Sequence, residues 1–126
     1  MIPKYRAWIK TEKCFADYIE SIRFYINEID LCWGGICESD CFDFNDVILM
    51  QSTGLVDKNG KIIFEGDIVK MSKDVYSEPT YYEVVRHIGG AYRLESKQHR
   101  CELWLRDTDC EVVGSIYETP ELLEDK

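Results

Sequence analysis

The sequence predicts a mainly β fold. Three observations predict it. Apolar and polar residues alternate with a period of two over several short stretches, β-branched and aromatic residues are concentrated in those stretches, and turn signals rich in Gly, Asn and Asp separate them. The chain has 126 residues, 45% hydrophobic and 31% charged. That is the length of one ordinary domain, with enough apolar side chains to build a core and to exclude a disordered chain.

The N-terminal part contributes three predicted strands. Residues 4–9 put Tyr5, Ala7 and Ile9 on one face and Lys4, Arg6 and Trp8 on the other. Residues 21–29 alternate Ile22, Phe24 and Ile26 with Arg23, Tyr25 and Asn27, and their aromatic and β-branched content favours a strand over a helix within residues 12–28. Gly34-Gly35 breaks the chain. Residues 41–50 return as a strand with Phe42 and Phe44 on one side and Asp43 and Asn45 on the other.

The second half is punctuated more sharply. Asp57-Lys58-Asn59-Gly60 reads as a turn, with Asn59 and Gly60 able to take positive φ. A short strand over residues 61–64 leads to a tight corner at Glu65-Gly66-Asp67, and residues 68–71 leave it extended. Gly54, Gly60 and Gly66 answer backbone requirements. Asp67 is positioned to accept hydrogen bonds from nearby backbone N–H groups and lock its corner. Residues 81–88 read as a strand, Gly89-Gly90 as a hairpin turn and residues 91–95 as its partner, followed by strands at 103–105 and 110–117. Five short strands between Gly66 and Glu118 suit a small Greek-key or SH3-like barrel. Thr119-Pro120-Glu121 reads as the start of a helical turn, with Thr119 as cap and Pro120 in the first helical position.

Composition narrows the function. Lys and Arg number 15 against 24 Asp and Glu, a net charge of −9. Bare nucleic acid is a poor partner for such a molecule as a whole. No apolar run approaches the roughly 20 residues of a membrane-spanning helix, and no basic-then-apolar signal opens the chain, so the expected location is the cytoplasm.

The cysteines are Cys14, Cys32, Cys37, Cys41, Cys101 and Cys110. In a cytosolic chain they are expected as thiols. Zinc would have to draw its ligands from Cys32, Cys37, Cys41, His99 and Cys101, without the paired short spacings of structural zinc sites, so no metal or cofactor is expected. Cys14, Cys101 and Cys110 read as small core residues and the other three as partly exposed thiols. Asp40, Asp43 and Asp46 lack the ligand spacing of a calcium loop. His87 and His99 have no recognisable nucleophile beside them, and no phosphate loop occurs. The expectation is a protein that is not an enzyme.

Three segments then carry a resemblance. IPKYRAWIK near the start, LMQSTGLVDKNGKIIFEGDIVK in the middle and CEVVGSIYETPELL at the end are similar to the YopX family of bacteriophage and prophage proteins, in the family's order, from residue 2 to residue 123. The resemblance implies an SH3-like β-barrel with an N-terminal β extension; with the residue reading above, the expectation is a single domain with the extension over 1–52, the barrel in the C-terminal half (53–126) and a short C-terminal helical turn. It also implies a phage or prophage origin and a bacterial cytoplasm, and it supplies no catalytic residues.

Charge is unevenly spread along the second half. Over residues 86–106 there are five bases, Arg86, Arg93, Lys97, Arg100 and Arg106, against two acids; residues 107–125 hold seven acids and no bases. The five bases are the candidate anion- or partner-binding residues. A two-residue turn at Gly89-Gly90 would pair Arg86 with Arg93 on the outer face of the hairpin, and Val85 with Leu94 on the core face. Opposed like charges are unfavourable unless neutralised, by Glu95 or an acid of residues 107–111, or by an anionic partner. Trp8 and the alternate aromatics of the N-terminal strands offer apolar surface for self-association. The expected function is therefore a non-enzymatic phage accessory protein, an interaction module that forms homo-oligomers or binds a host or phage protein. The alternative is a nucleic-acid-associated regulator using the basic Arg86 to Arg106 surface.

Overall fold

The computed structural model describes residues 4–35, 38–71, 80–86, 91–96, 100–103 and 109–123. The described chain is mainly β. In order the strands are β1 (Tyr5–Ile9), β2 (Cys14–Phe15), β3 (Tyr18–Arg23), β4 (Glu28–Cys32), β5 (Ser39–Asp43), β6 (Val47–Val56), β7 (Ile62–Phe64), β8 (Asp67–Met71), β9 (Thr80–Arg86), β10 (Tyr92–Glu95), β11 (Arg100–Glu102) and β12 (Glu111–Ser115). Single 3-10 turns occupy Phe44–Asp46 and Pro120–Leu123. Contacts divide the chain into two compact units, Lys4–Gln51 and one built on Ser52–Lys126.

The first unit has two antiparallel sheets. β1 pairs with β2 on one side and with the first half of β6 on the other, and β4 lies between β3 and β5. Their shared core is Ala7, Ile9, Ile29, Leu31 and Val47, with Ile19, Ile22, Trp33, Phe42, Phe44 and Leu49 packed against it. Alternation on β4 explains the arrangement. Ile29 and Leu31 point inward, while Glu28 and Asp30 share the other face of the strand.

Two strand readings and one surface expectation change here. The expected strand over residues 21–29 is a hairpin: β3 stops at Arg23, residues 24–27 turn, and β4 begins at Glu28. Asn27 takes φ +56°, a left-handed conformation its short polar side chain tolerates, and this reverses the chain. The expected strand over 41–50 is cut by the 3-10 turn at Phe44–Asp46, whose cap is Asp43: its carboxylate accepts the Asn45 N–H at 2.8 Å. Trp8, expected to add apolar surface, is only 8% exposed, and its ring and that of Phe15 meet in a T-shaped contact with centroids 4.9 Å apart.

The second unit centres on an antiparallel five-stranded sheet, ordered β11-β10-β9-β8-β12. It curls into a half-barrel. Its core holds Ile63, Val69, Met71, Tyr82, Val84, Leu94, Leu103 and Cys110. The second half of β6 pairs with β7 across an irregularity between Ser52 and Val56, where Gly54 takes φ +82°. The Thr53 hydroxyl donates to the Ile63 carbonyl at 2.8 Å and holds the two strands together through the bulge.

The Gly66 corner is locked as its residue types predict. Gly66 has φ +87°. Its N–H donates to the Val84 carbonyl at 2.9 Å and its carbonyl accepts from Ile116 N–H at 3.0 Å, so the corner is wedged between β9 and the end of β12. The buried Asp67 carboxylate accepts the Phe64 N–H at 2.8 Å.

Further corrections fall in this unit. The strand expected at 103–105 lies earlier: β11 ends at Glu102, and Leu103 is a fully buried core residue. Thr119 does not use its hydroxyl as a helix cap. It turns back to Ser115, accepting from that residue's N–H at 3.2 Å and donating to its carbonyl at 3.3 Å. The Gly89-Gly90 turn lies outside the described residues.

Candidate functional site

Of the bases singled out by sequence, the three described ones, Arg86, Arg93 and Arg100, lie on one sheet, but not as a free cationic patch. Register is the reason. Across β9 and β10, Tyr92 faces Arg86, Arg93 faces Val85, Leu94 faces Val84 and Glu95 faces Glu83. This is one residue out of step with a two-residue turn. Arg86 and Arg93 therefore lie on opposite faces of the sheet, and the expected Arg86–Arg93 pair does not form. Val84, not Val85, joins Leu94 in the core.

The outer face is instead a ladder of ion pairs. On β10 and β11, Arg93 Nε donates to Glu102 Oε1 at 3.1 Å, and Arg100 Nε lies 3.8 Å from Glu95 Oε1. On β8 and β12, Lys70 Nζ is 3.6 Å from Glu111 Oε1. Directly opposed residues in neighbouring strands have adjacent side chains, so each base meets its acid without bending the sheet. Glu83 breaks the pattern because it faces Glu95 across the strands. Burial, and then the Glu95 charge, push the Glu83 carboxyl above its ordinary value. Arg86 is exposed at the end of β9. Lys97, Arg106, His87 and His99 lie outside the described residues.

A second polar cluster, which the sequence reading missed, sits on the outer face of β3, β4 and β5. Register aligns Ser21, Asp30 and Cys41 in one row and Arg23, Glu28 and Asp43 in the next. Arg23 grips Asp30 with both terminal nitrogens and also reaches Glu28 at 3.3 Å and the Cys41 sulfur at 3.4 Å. Ser21 Oγ donates to Asp30 at 2.6 Å. These hydrogen bonds, Arg23 first, hold the Asp30 carboxyl down at about 2, and the Arg23 guanidinium is raised in turn. Cys41 is exposed, yet desolvation and the Glu28 charge raise its thiol pKa, the reverse of what a nucleophile needs.

Among the other cysteines, Cys32 and Cys110 are buried, and Cys14 and Cys101 are half-buried. Cys32, expected as a partly exposed thiol, is thus a core residue: it ends β4 opposite Tyr18 and Ser39. Among the described residues no group of three or more His, Cys, Asp or Glu side chains could hold a metal ion. Cys37 lies outside the described residues. Asp40 accepts the Trp33 indole N–H at 2.8 Å, and Asp43 caps the turn that contains Asp46.

The turn residues occupy built positions. The Asp57 carboxylate accepts the backbone N–H groups of Asn59 and Lys61 at 2.9 Å each and of Val112 at 2.8 Å, while the N–H of Gly60, φ +81°, donates to the Asp57 carbonyl. Burial works to raise the Asp57 carboxyl, but the three backbone donors outweigh it and hold the group below its ordinary value.

Among the described residues the most exposed large apolar side chains are at the β3–β4 turn. Phe24 is 70% exposed, Tyr25 82% and Ile26 46%. Beside it lies an apolar hollow of about 210 Å³ lined by Ile29, Phe44, Val47 and Leu49.

A family model described as YopX protein matches residues 4–124. The chain belongs to the YopX family. Two solved structures are similar to it over nearly their whole length. Protein EF1440 from Enterococcus faecalis is 32% identical, with a TM-score of 0.65, 98% of this chain and 99% of that one being covered. Protein yopX from Bacillus subtilis is 23% identical, with a TM-score of 0.64 and coverage of 97% and 96%. No curated protein matches this YopX chain. Among the described residues no helix is long and apolar enough to cross a membrane.

Proposed function

We propose that this YopX-family chain is a non-enzymatic interaction module of a phage or prophage, acting in the bacterial cytoplasm, and that it self-associates. The family resemblance supports the viral origin. An SH3-like barrel in the C-terminal half is supported by the five antiparallel strands that follow the Gly66 corner and curl around one core.

One observation carries the self-association reading: Phe24, Tyr25 and Ile26 stand together in solvent at the tip of a hairpin. Single exposed apolar residues are ordinary, but three consecutive ones on a turn, where polar residues are the rule, mark a contact surface. The polar clusters support the same reading. Arg93, Arg100 and Lys70 are engaged by carboxylates of their own sheet, and Arg23 by Asp30 and Glu28. These pairs leave less cationic surface for nucleic acid than the sequence promises, and the net charge of −9 adds to that.

The test is light scattering coupled to size-exclusion chromatography of the full chain over a range of concentrations. A mass above one chain that falls on dilution is expected. A single-chain mass at every concentration overturns the self-association reading.

A further inference from the structure

We infer that Asn59 is a site of spontaneous deamidation, and that the acid formed there loosens the β6–β7 turn from β12.

The chemistry needs only water. The Gly60 backbone nitrogen gives its proton to solvent base and attacks Cγ of the Asn59 side chain. A C–N bond closes a cyclic imide, and the side-chain nitrogen takes up a proton and leaves as ammonia. Water then opens the imide at one of its carbonyls, leaving aspartate or, where the chain is rerouted through Cγ, isoaspartate. One amide and one water become one acid and one ammonia, and nothing is oxidised or reduced.

Gly60 is what opens this route. A glycine has no Cβ to screen its nitrogen. A Cβ added at Gly60 would meet nothing within 4 Å, and Asn59 and Gly60 are both exposed, so the imide has room and water has access. The Gly60 N–H donates to the Asp57 carbonyl at 3.0 Å and must leave it to react. Rotation of the exposed Asn59–Gly60 peptide plane frees it, and glycine, at φ +81° here, has the soft dihedrals that permit this. The buried Asp57 carboxylate keeps its hold on the Asn59 and Lys61 N–H groups at 2.9 Å meanwhile. The other asparagines, Asn27 and Asn45, are followed by Glu28 and Asp46. There a Cβ crowds the nitrogen and a negative charge opposes the loss of its proton.

The product falls on the fastening of the turn. Asn59 Nδ2 donates to Glu111 Oε2 at 3.3 Å, at the first residue of β12, and the next residue, Val112, is held by Asp57 at 2.8 Å. An ionised carboxylate at position 59 has no proton to donate, so this hydrogen bond becomes a repulsion between like charges. Lys70, 3.6 Å from the other Glu111 oxygen, is already engaged there. Isoaspartate also inserts a carbon into the backbone between residues 59 and 60, which lengthens the loop that the Gly60 N–H closes on Asp57. Ammonia is lost, so the change runs one way and accumulates with the age of the molecule.

The test incubates the full chain in mildly alkaline buffer at physiological temperature, beside a synthetic peptide of residues 57–62 that shows the conditions suffice. Digestion in acid, where the imide forms slowly, and mass spectrometry then locate the acids formed. Conversion is expected at Asn59, with Asn27 and Asn45 keeping their amides. An Asn59 amide that stays intact in the folded chain while the peptide converts overturns the site. The consequence is read in urea unfolding at neutral pH. Asn59→Asp, which builds one product at an exposed position, is expected to unfold at a lower urea concentration than Asn59→Gln, which keeps the amide. Equal midpoints for the two variants overturn the loosening.

Discussion

The Asp57 carboxylate accepts the backbone N–H of Val112 at 2.8 Å, although the two residues are 55 positions apart in the chain. The same carboxylate closes the β6–β7 turn through Asn59 and Lys61. A second bond, from the Lys58 N–H to the Cys110 carbonyl at 3.0 Å, runs parallel to it. One side chain, only 4% exposed, thus builds a turn and fastens it to the start of β12.

Replacing it should be expensive for the fold. Asp57→Ala leaves three backbone N–H groups without their acceptor, and the expected loss is about 2–4 kcal/mol, since hydrogen bonds to charged groups contribute more than neutral ones. Urea denaturation at neutral pH measures it. A loss below about 0.5 kcal/mol would show that the turn holds without the carboxylate.

Gly114 is fixed by a neighbour, not by its backbone angle. A methyl group there would overlap the Thr119 hydroxyl, which is held on both sides by Ser115. Gly114→Ala is expected to destabilise by about 1–3 kcal/mol. The double variant Gly114→Ala, Thr119→Ala should recover part of that loss in a double-mutant cycle of thermal unfolding, and simple additivity would refute the clash.

Glu83 and Glu95 give a stability change of opposite sign to most carboxylates. The Glu83 pKa is raised in the folded state by burial and by Glu95. On lowering the pH, the folded chain takes up this proton before the unfolded chain does, so the group destabilises the fold above its folded pKa and ceases to do so as pH falls toward its ordinary 4.5. Glu83→Gln is expected to stabilise the protein at pH 7 by about 0.2–1 kcal/mol, the range of cross-strand pair effects. The gain should vanish near pH 4 in paired thermal melts; an equal gain at both pH values would contradict the assignment.

Asp30 should act in the usual direction. Its carboxyl is held down from an ordinary 3.8 to about 2 by Arg23 and Ser21. The stability it contributes is complete above pH 3.8 and is lost as pH falls toward 2. Asp30→Asn should therefore flatten the acid limb of the stability curve in that window, and an unchanged limb would show that the pair is screened by solvent.

Residue types alone determined the punctuation of this fold. The Asp57–Gly60 turn and the Gly66-Asp67 corner were readable because each depends on a few adjacent residues: a glycine that accepts positive φ and an aspartate that accepts a neighbouring N–H. The core positions Ala7 and Ile9 of β1 were readable for the same local reason. Tertiary structure decided what depends on distant partners. The register of β9 and β10 puts Arg93 opposite Val85 instead of Arg86, and pairing with β11 sets it beside Glu102. Phe24, Tyr25 and Ile26 alternate as a strand would, and only the reversal at Asn27, paired through β4 and the Phe44 turn, placed them in solvent. Alternation tells which residues can share a face; long-range hydrogen bonding decides which face is covered.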